Sequence, residues 1–364
     1  MATTLREAVG SLIVAGLNGT ELTGLERAWL KLVHPAGIIL FRRNIADARQ
    51  TRALLAEAQQ YCAPHAARFV DLEGGTVDRL RDALAPMPSA QSVARASLNS
   101  GSSTLAREHG ELIARAVQAF GFNSTLAPVL DLALPASAQV MGSRCAAPDA
   151  AGVVAYAQEF LAGLAAQNVA GCAKHFPGLG GGTLDSHQLT PAIERTWQQL
   201  WSGDLAPYRA LREHLPIVMV SHAAYPKTKG KKRPASVSSF WIETVLRKQI
   251  GYRGLVLSDD LEMGGILNYC LIEEAAIEAI RAGTEIVEIC HSAELILRAY
   301  EALLAEAEQS PAFRKLLVAR ARAAAGKREK TFRAELAPAL GAKQFDSLRA
   351  KILRFAETVS NGSK

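Results

Sequence analysis

The chain has 364 residues, of which 49% are hydrophobic and 21% charged, and its formal net charge is +6. That hydrophobic content is enough for a large core, and so modest a positive charge is not by itself a nucleic-acid-binding signature. Five cysteines, mostly within apolar runs, do not make a disulfide framework, and no stretch has the length of a signal-peptide core or a membrane span. We therefore expect a cytoplasmic protein with neither nucleic acid nor membrane as a partner.

Eight short apolar runs alternate with segments of helical spacing, and each run has the length of a buried strand. The runs are Ser11–Ala15, Gly37–Phe41, Arg68–Leu72, Thr125–Leu130, Val169–Lys174, Ile217–Ser221, Gly254–Ser258 and Ile286–Ile289. The clearest helical segments between them are Ala46–Ala63, Thr104–Phe120, Ala150–Ala166 and Ile272–Ala282. Strand and helix alternating eight times predict an α/β fold, a (β/α)8 TIM-type barrel.

Beyond the last predicted strand the chain is helical and rich in Ala, Leu and Arg. Helices are predicted over Ala293–Gln309, Ala312–Arg333 and Phe345–Val359. No linker rich in Pro, Gly or Ser separates a second domain. We therefore predict one domain over residues 1–364, with the barrel over about 8–310 and a C-terminal helical extension over about 311–364. We expect a monomer.

Polar side chains follow five successive predicted strands. They are Asp71, Asp131, the pair Lys174 and His175, the pair Ser221 and His222, and the pair Asp259 and Asp260. Burying charged groups at the ends of apolar strands costs free energy, so their presence indicates a function. Capping of the next helix would explain Asp260 or Glu73, but it does not explain the whole set. Because barrel chemistry gathers at the carboxyl ends of the strands, these residues predict one site.

A glycine-rich segment, Gly178–Gly182, connects the strand that carries Lys174 to the sequence Asp185-Ser-His187. In an Asp-x-His arrangement the carboxylate holds one imidazole nitrogen and leaves the other free for proton transfer. A mobile loop that carries such a histidine is typical of a catalytic lid. Taken alone, the same stretch also fits a solvated loop pair or metal ligands.

These blocks, in this order, resemble the β-N-acetylglucosaminidases of glycoside hydrolase family 3. The resemblance extends roughly from Ser11 to Cys290 and rests on Gly37–Phe41, Val70–Gly75 with Arg79, Ala127–Asp131, Gly142–Arg144, Lys174–Gly178, Asp185–His187, Ser221–His222 with Tyr225–Pro226, Pro234–Ser238 and Ser258–Met263. It implies a retaining exo-glycosidase that releases terminal GlcNAc through a covalent glycosyl-aspartate. It also implies muropeptide substrates from peptidoglycan recycling, and neither metal nor cofactor.

Carried over to this chain, the resemblance implies that Asp259 is the nucleophile and His187 the acid/base, with Asp185 as its partner. The matching sugar-binding positions are Asp71, Arg79, Arg144, Lys174 and His175. His222 is assigned as a further substrate contact, with a structural histidine as the alternative. Asp259 is preferred to Asp260 because it directly follows the predicted strand.

The chain departs from the family pattern at four places that bear on the lid and on substrate selectivity. They are Leu179 where His is common, Thr76 where Arg is common, Cys145-Ala146 where Ser-Phe usually follows the Arg, and Glu285 where Asp is usual. Four alternatives stay open. They are an N-acetylglucosaminide phosphorylase, a broader β-glycosidase of the same family, a metal-dependent barrel hydrolase using His175, His187, His222 and an Asp, and a non-catalytic sugar-binding protein, which the departures at Leu179 and Cys145-Ala146 make conceivable.

Overall fold

The structure, a computed structural model, describes residues 4–182 and 190–363. Its strands are β1 (Ile13–Gly16), β2 (Gly37–Leu40), β3 (Ala67–Val70), β4 (Leu72–Gly74), β5 (Val77–Asp78), β6 (Ser124–Thr125), β7 (Ala170–Phe176), β8 (Ile217–Val220), β9 (Leu255–Asp260) and β10 (Ile286–Ile289). Eight of them close into a parallel barrel in the order β1-β2-β3-β6-β7-β8-β9-β10, with β10 pairing back onto β1. The predicted (β/α)8 barrel is confirmed.

Helices surround the barrel and continue beyond it. They are α1 (Leu5–Gly10), α2 (Gly24–Val33), α3 (Ala48–Gln59), α4 (Ala90–Ser100), α5 (Thr104–Ala119), α6 (Ala138–Met141), α7 (Ala150–Ala166), α8 (Trp197–Gln199), α9 (Ala206–Leu211), α10 (Gly264–Leu267), α11 (Ile272–Ala282), α12 (Ala293–Gln309), α13 (Pro311–Thr331) and α14 (Ala342–Gly362). Two π-helical segments, Leu200–Asp204 and Phe240–Gln249, lie among them. Within the described ranges, no helix is long and apolar enough to cross a bilayer.

Helix boundaries follow from local capping chemistry. Asp149 accepts a hydrogen bond from the Gly152 N–H at the start of α7, and Gly283, with φ 118°, ends α11 in the left-handed conformation that glycine adopts without strain. Ser310 caps α13, whose first residue is Pro311, so the chain breaks between α12 and α13. These signals are local, and the predicted bounds of α7, α11 and α12 therefore agree with the structure.

The barrel strands are buried along almost their whole length, because helices cover the outside and side chains fill the inside. Two predicted strands, β3 and β6, end two or more residues earlier than expected. β6 ends at Thr125, because Pro128 follows closely and has no N–H to donate to a neighbouring strand. After Thr125, an isolated β-bridge connects Val129 to Lys174 of β7. β3 stops at Val70, and the next residues form the β4–β5 hairpin, whose turn uses Gly74 and Gly75 at positive φ.

The segment after α13 packs against the amino-terminal end of the barrel. Phe332 meets Phe69 edge to face, with ring centroids 5.8 Å apart. The guanidinium of Arg68, at the start of β3, donates to the carbonyls of Ala334 (3.2 Å) and Glu335 (3.0 Å). The segment after α13 therefore covers part of the amino-terminal end of the barrel.

Candidate active site

A cavity of about 490 Å³ opens at the carboxyl ends of the barrel strands. Its polar wall includes Asp71, Arg79, Arg144, Lys174, His175, Asp259, Asp260, Glu288 and His291. All of the predicted sugar-binding residues except His222, together with the predicted nucleophile, therefore line one cavity. A barrel places them there because strands that are distant in the sequence end on the same face.

Lys174 is the centre of a buried charged cluster at one side of the cavity. Its ammonium lies 2.9 Å from an Asp71 oxygen and 2.7 Å from a Glu73 oxygen. The Arg144 guanidinium forms two parallel hydrogen bonds of 2.8 Å with the Glu73 carboxylate. Lys174 and Glu73 are only 4% and 3% exposed, so the cluster is a fixed array rather than a set of surface ion pairs.

Opposite charges keep the members of this cluster ionised. Burial alone would raise the pKa of Glu73, but Arg144 and Lys174 hold that pKa well below its usual value. Burial likewise opposes a low pKa of Asp71, which Lys174 and Arg79 nevertheless depress. The pKa of Lys174 is raised, against the effect of burial, by the two carboxylates. The cluster thus presents fixed hydrogen-bond donors and acceptors of the kind that bind sugar hydroxyls.

His175 is oriented by Asp131, a strand-end residue to which the sequence analysis gave no role. One Asp131 oxygen lies 2.6 Å from His175 Nδ1, and the other accepts the Leu179 N–H at 2.6 Å. The His175 Nε2 is 3.4 Å from the Arg144 guanidinium. Asp131 is fully buried, so it holds both the ring of His175 and the start of the glycine-rich segment in place.

Asp259 and Asp260 are both within β9, at its carboxyl end, and they differ in environment. Asp260 Oδ1 accepts the Glu262 N–H at 3.0 Å, so this carboxylate orients the following turn. Burial, with the nearby charges of Glu262 and Asp259, raises the pKa of Asp260 to about 7. Asp259 lines the cavity, and one of its oxygens accepts the Asp260 N–H at 3.0 Å.

His222 lies behind Asp260 rather than on the cavity wall. It is completely buried, with Nδ1 2.7 Å from the Ser236 hydroxyl and Nε2 2.9 Å from the Asp260 carbonyl oxygen. Both ring nitrogens therefore face protein groups. A direct sugar contact by His222 stays a prediction that this geometry leaves untested.

Arg79 and the residues around Phe41 form the rim of the cavity. An Arg79 nitrogen lies 3.6 Å from Asp71, and its guanidinium stands 5.7 Å from the centroid of the Phe41 ring. Arg43 stands over the same ring at 4.8 Å and contacts His291 Nδ1 at 2.9 Å. The predicted acid/base His187 and its partner Asp185 lie outside the described residues.

The histidines proposed for the metal-centre alternative are not brought together where the structure describes them, since His175 pairs with Asp131 and His222 with Ser236. Across residues 4–182 and 190–363, the group with ligand atoms close enough to hold an ion is Asp260, Glu262 and His291, within 4.8 Å of one another. The Glu262 carboxylate there already accepts the backbone N–H groups of residues 290–292. His175 and His222 therefore do not form the metal site of that alternative, and its third histidine, His187, lies outside the described residues.

Sequence reasoning missed Glu73 and Glu288 as site residues, and it placed Asp131 at a strand end without giving it a role. Glu73 was explained by helix capping, whereas its carboxylate holds Arg144 and Lys174 from the short strand β4. A local pattern does not reveal a partner that is 71 or 101 positions away. For Asp131 the sequence did contain a usable signal, because this residue follows an apolar run in the same way as Asp71 does.

Comparisons with known proteins identify the family to which the chain is similar. A family model described as "Glycosyl hydrolase family 3 N terminal domain" matches residues 4–316. A β-hexosaminidase of Pseudomonas aeruginosa is 36% identical over 300 residues, covering 81% of this chain and 87% of that protein. A family 3 β-N-acetylglucosaminidase from a Paenibacillus species is similar in structure, with a TM-score of 0.86 and 32% identity over 97% of this chain and 69% of that one. NagZ from Neisseria gonorrhoeae, solved in complex with N-trifluoroacetyl-D-glucosamine, has a TM-score of 0.77 and 28% sequence identity to this chain, and the match covers 97% of this chain and 98% of that one.

Proposed function

The chain belongs to glycosyl hydrolase family 3 and is a glycoside hydrolase, and we propose that it is a retaining exo-β-N-acetylglucosaminidase. The observation that carries the proposal is the cavity in which the Lys174 cluster and Asp259 share one wall. The family resemblance favours action on a terminal sugar rather than in the middle of a chain. The names and ligands of the relatives favour N-acetylglucosamine as that sugar.

In the proposed first step, a carboxylate oxygen of Asp259 attacks the anomeric carbon and forms a glycosyl-aspartate ester. His187, held by Asp185, gives a proton to the glycosidic oxygen as that bond breaks, so the aglycone leaves as an alcohol. In the second step His187 takes a proton from water, whose oxygen displaces Asp259 and releases the sugar. Two inversions leave the configuration at the anomeric carbon retained.

Asp259 suits the nucleophile better than its neighbour does. A nucleophilic carboxylate must be ionised and must reach the substrate. With a pKa of about 7 and an oxygen committed to the Glu262 N–H, Asp260 is partly protonated at neutral pH and tied to the protein. Asp260 and His222 would then hold the end of β9 and aim Asp259 into the cavity.

The remaining site residues would position the sugar. Asp71 accepts and Lys174 donates hydrogen bonds to hydroxyl groups, while Arg144 and His175 line the same wall and Arg79 closes the rim. Hydrogen bonds that tighten as the sugar flattens toward the transition state raise the rate. For the natural substrate we propose a GlcNAc-containing muropeptide of cytoplasmic peptidoglycan recycling.

The test is release of the chromophore from an aryl β-N-acetylglucosaminide, with a chelator present. Asp259→Ala should lose roughly 10³-fold or more in kcat, and added azide should restore aryl release and yield the glycosyl azide of inverted configuration. Asp260→Asn is the matched control and should keep most of the activity. If Asp259→Ala stays active, or azide products form with the Asp260 variant instead, the nucleophile assignment is wrong.

Phosphorolysis is the second candidate, because a neutral histidine base does not repel a phosphate nucleophile as a carboxylate would. The same assay in phosphate buffer separates the two reactions. Hydrolysis yields GlcNAc regardless of phosphate, whereas phosphorolysis yields GlcNAc 1-phosphate at a rate that rises with phosphate concentration.

A further inference from the structure

Glu288 is a buried carboxyl group in the floor of the cavity. It lies on β10, between the cavity and the barrel interior, and is 2% exposed. Three buried apolar residues, Ile39, Leu126 and Met219, line the same cavity. A carboxyl group in such a place needs an explanation, because burying it without hydrogen bonds is unfavourable.

The backbone of Glu288 is fully engaged, but its side chain is not. Its N–H donates to the Ser258 hydroxyl at 3.1 Å, and its carbonyl accepts the Leu261 N–H at 2.8 Å. Among the described residues, Oε1 of the side chain has no hydrogen-bond partner. Glu288 lines the cavity while this carboxyl oxygen is buried without a partner, which is the sign of a group whose hydrogen bonding is completed when a ligand binds.

The charges that face Glu288 favour its uncharged form. Asp259 and Asp260 on β9 and Asp71 beyond β3 are acidic, and Cys172 below them on β7 is a buried thiol. The single cation in this group, Lys174, already pairs with Asp71 and Glu73. Burial, followed by the three aspartates, raises the pKa of Glu288 well above its ordinary value.

We propose that Glu288 is a substrate-binding residue, an uncharged carboxylic acid that donates its one hydrogen bond from the cavity floor to a hydroxyl group of the bound sugar. This inference rests on the proposed function, since it assumes that a sugar occupies the cavity. An uncharged acid adds a donor beside Asp259 without adding a second negative charge there. The floor thus discriminates between a hydroxylated ring and an analogue that lacks the hydroxyl.

Two substitutions of similar size separate this role from a structural one. Glu288→Gln keeps an uncharged donor and should hold kcat/KM within about threefold of the wild type, whereas Glu288→Leu removes it and should lower kcat/KM by about 10- to 100-fold. Glu288→Leu should not lower the melting temperature, because it replaces an unpaired polar group with an apolar one. Full activity in Glu288→Leu, or loss of activity in Glu288→Gln comparable to that in Glu288→Leu, would overturn the proposal.

Two measurements on the same variants do not need turnover. The infrared band of a protonated carboxyl group should be present in the wild type at pH 7 and reduced in Glu288→Gln. Calorimetric titration with GlcNAc should show weaker binding to Glu288→Leu than to Glu288→Gln. If GlcNAc binds to none of the three proteins the proposed function fails, whereas equal binding by all three, with the infrared band unchanged, contradicts the role of Glu288 alone.

The pH dependence of stability gives a further check. A carboxyl group whose folded pKa is raised stabilises the protein fully below its unfolded pKa, and this contribution is lost as the pH rises toward the folded value. Glu288→Gln does not titrate, so its melting temperature minus that of the wild type should increase from pH 5 to pH 8. A constant difference over that range would mean that Glu288 is ionised in the folded protein, contrary to the proposal.

Discussion

Glu73 shows how one residue holds a binding wall together. It neutralises Arg144 and Lys174 while buried from water. Lys174 also pairs with Asp71, whereas Arg144 has no other carboxylate within salt-bridge distance among residues 4–182 and 190–363. We predict that Glu73→Gln lowers the free energy of unfolding by about 3–5 kcal/mol, because it leaves buried positive charge uncompensated. It should also lower kcat/KM by roughly 10²-fold, since the displaced cations no longer meet the sugar.

Chemical denaturation and aryl glycoside kinetics measure both effects. Glu57→Gln is the control, because it removes the same charge from a partly exposed pair with Arg27 and should change the free energy of unfolding by less than about 1 kcal/mol. If both variants behave alike, the buried cluster does not stabilise the site in the way that the geometry indicates.

The residue scale is also where the sequence alone was least informative. Asp71, Lys174 and His175 were found because each ends an apolar run, which is a signal that can be read along the chain. The role of Glu73 depends on Arg144 and Lys174, which are distant in the sequence and come close only in the fold. The role of Glu288 depends on a carboxyl oxygen that has no hydrogen-bond partner among the described residues. Neither property can be recognised from a local sequence pattern. Leu179 departs from the family pattern in its side chain, yet its contact with Asp131 is made by the backbone N–H, which any residue but proline supplies.

At the scale of elements, the glycines that follow β7 have a packing role. A Cβ on Gly178 would lie 2.6 Å from the Asp204 Cβ, and one on Gly180 would lie 2.6 Å from the Leu132 carbonyl oxygen. Gly178 also has φ 131°, which side chains rarely adopt. The described part of the segment therefore needs glycine for close packing, in addition to the mobility that the sequence suggested.

We predict that Gly178→Ala lowers the free energy of unfolding by about 1–3 kcal/mol and reduces kcat, because it moves the Leu179 N–H away from Asp131. Gly326→Ala is the matched control. Gly326 lies within α13 with nothing near its Cβ position, so alanine there should stabilise the protein by up to about 1 kcal/mol and leave kcat unchanged. Chemical denaturation measures the free energy of unfolding and the aryl glycoside assay measures kcat. A Gly178→Ala variant as stable as the wild type would refute the packing role.

At the scale of the whole molecule, the alternation of strands and helices was enough to predict the barrel, because a parallel closed sheet follows from the order of elements. The hairpin β4–β5 and the early end of β6 were not predictable in this way, since a two-residue strand has no period to detect. Nor did the composition of the C-terminal helices reveal what they cover. The Arg68 contacts explain that, as they tie the segment after α13 to β3.

Whether the extension is part of one cooperative unit with the barrel is a matter for experiment. Arg68 is 2% exposed and also donates to the Gly121 carbonyl at 2.9 Å, so Arg68→Met would leave several carbonyl oxygens unpaired. We predict a loss of about 3 kcal/mol or more in the free energy of unfolding. The value of kcat/KM at 25 °C should not change, because Arg68 lies at the end of the barrel opposite the cavity.

Calorimetry of Arg68→Met then tests the predicted single domain. With barrel and extension in one cooperative unit, the variant unfolds in a single transition at a lower temperature. Arg314→Met, which removes an exposed arginine from α13, should leave that temperature within about 1–2 °C of the wild type. A second, separate transition in Arg68→Met would instead show that residues from about 311 onward unfold independently, and the chain would then have two domains.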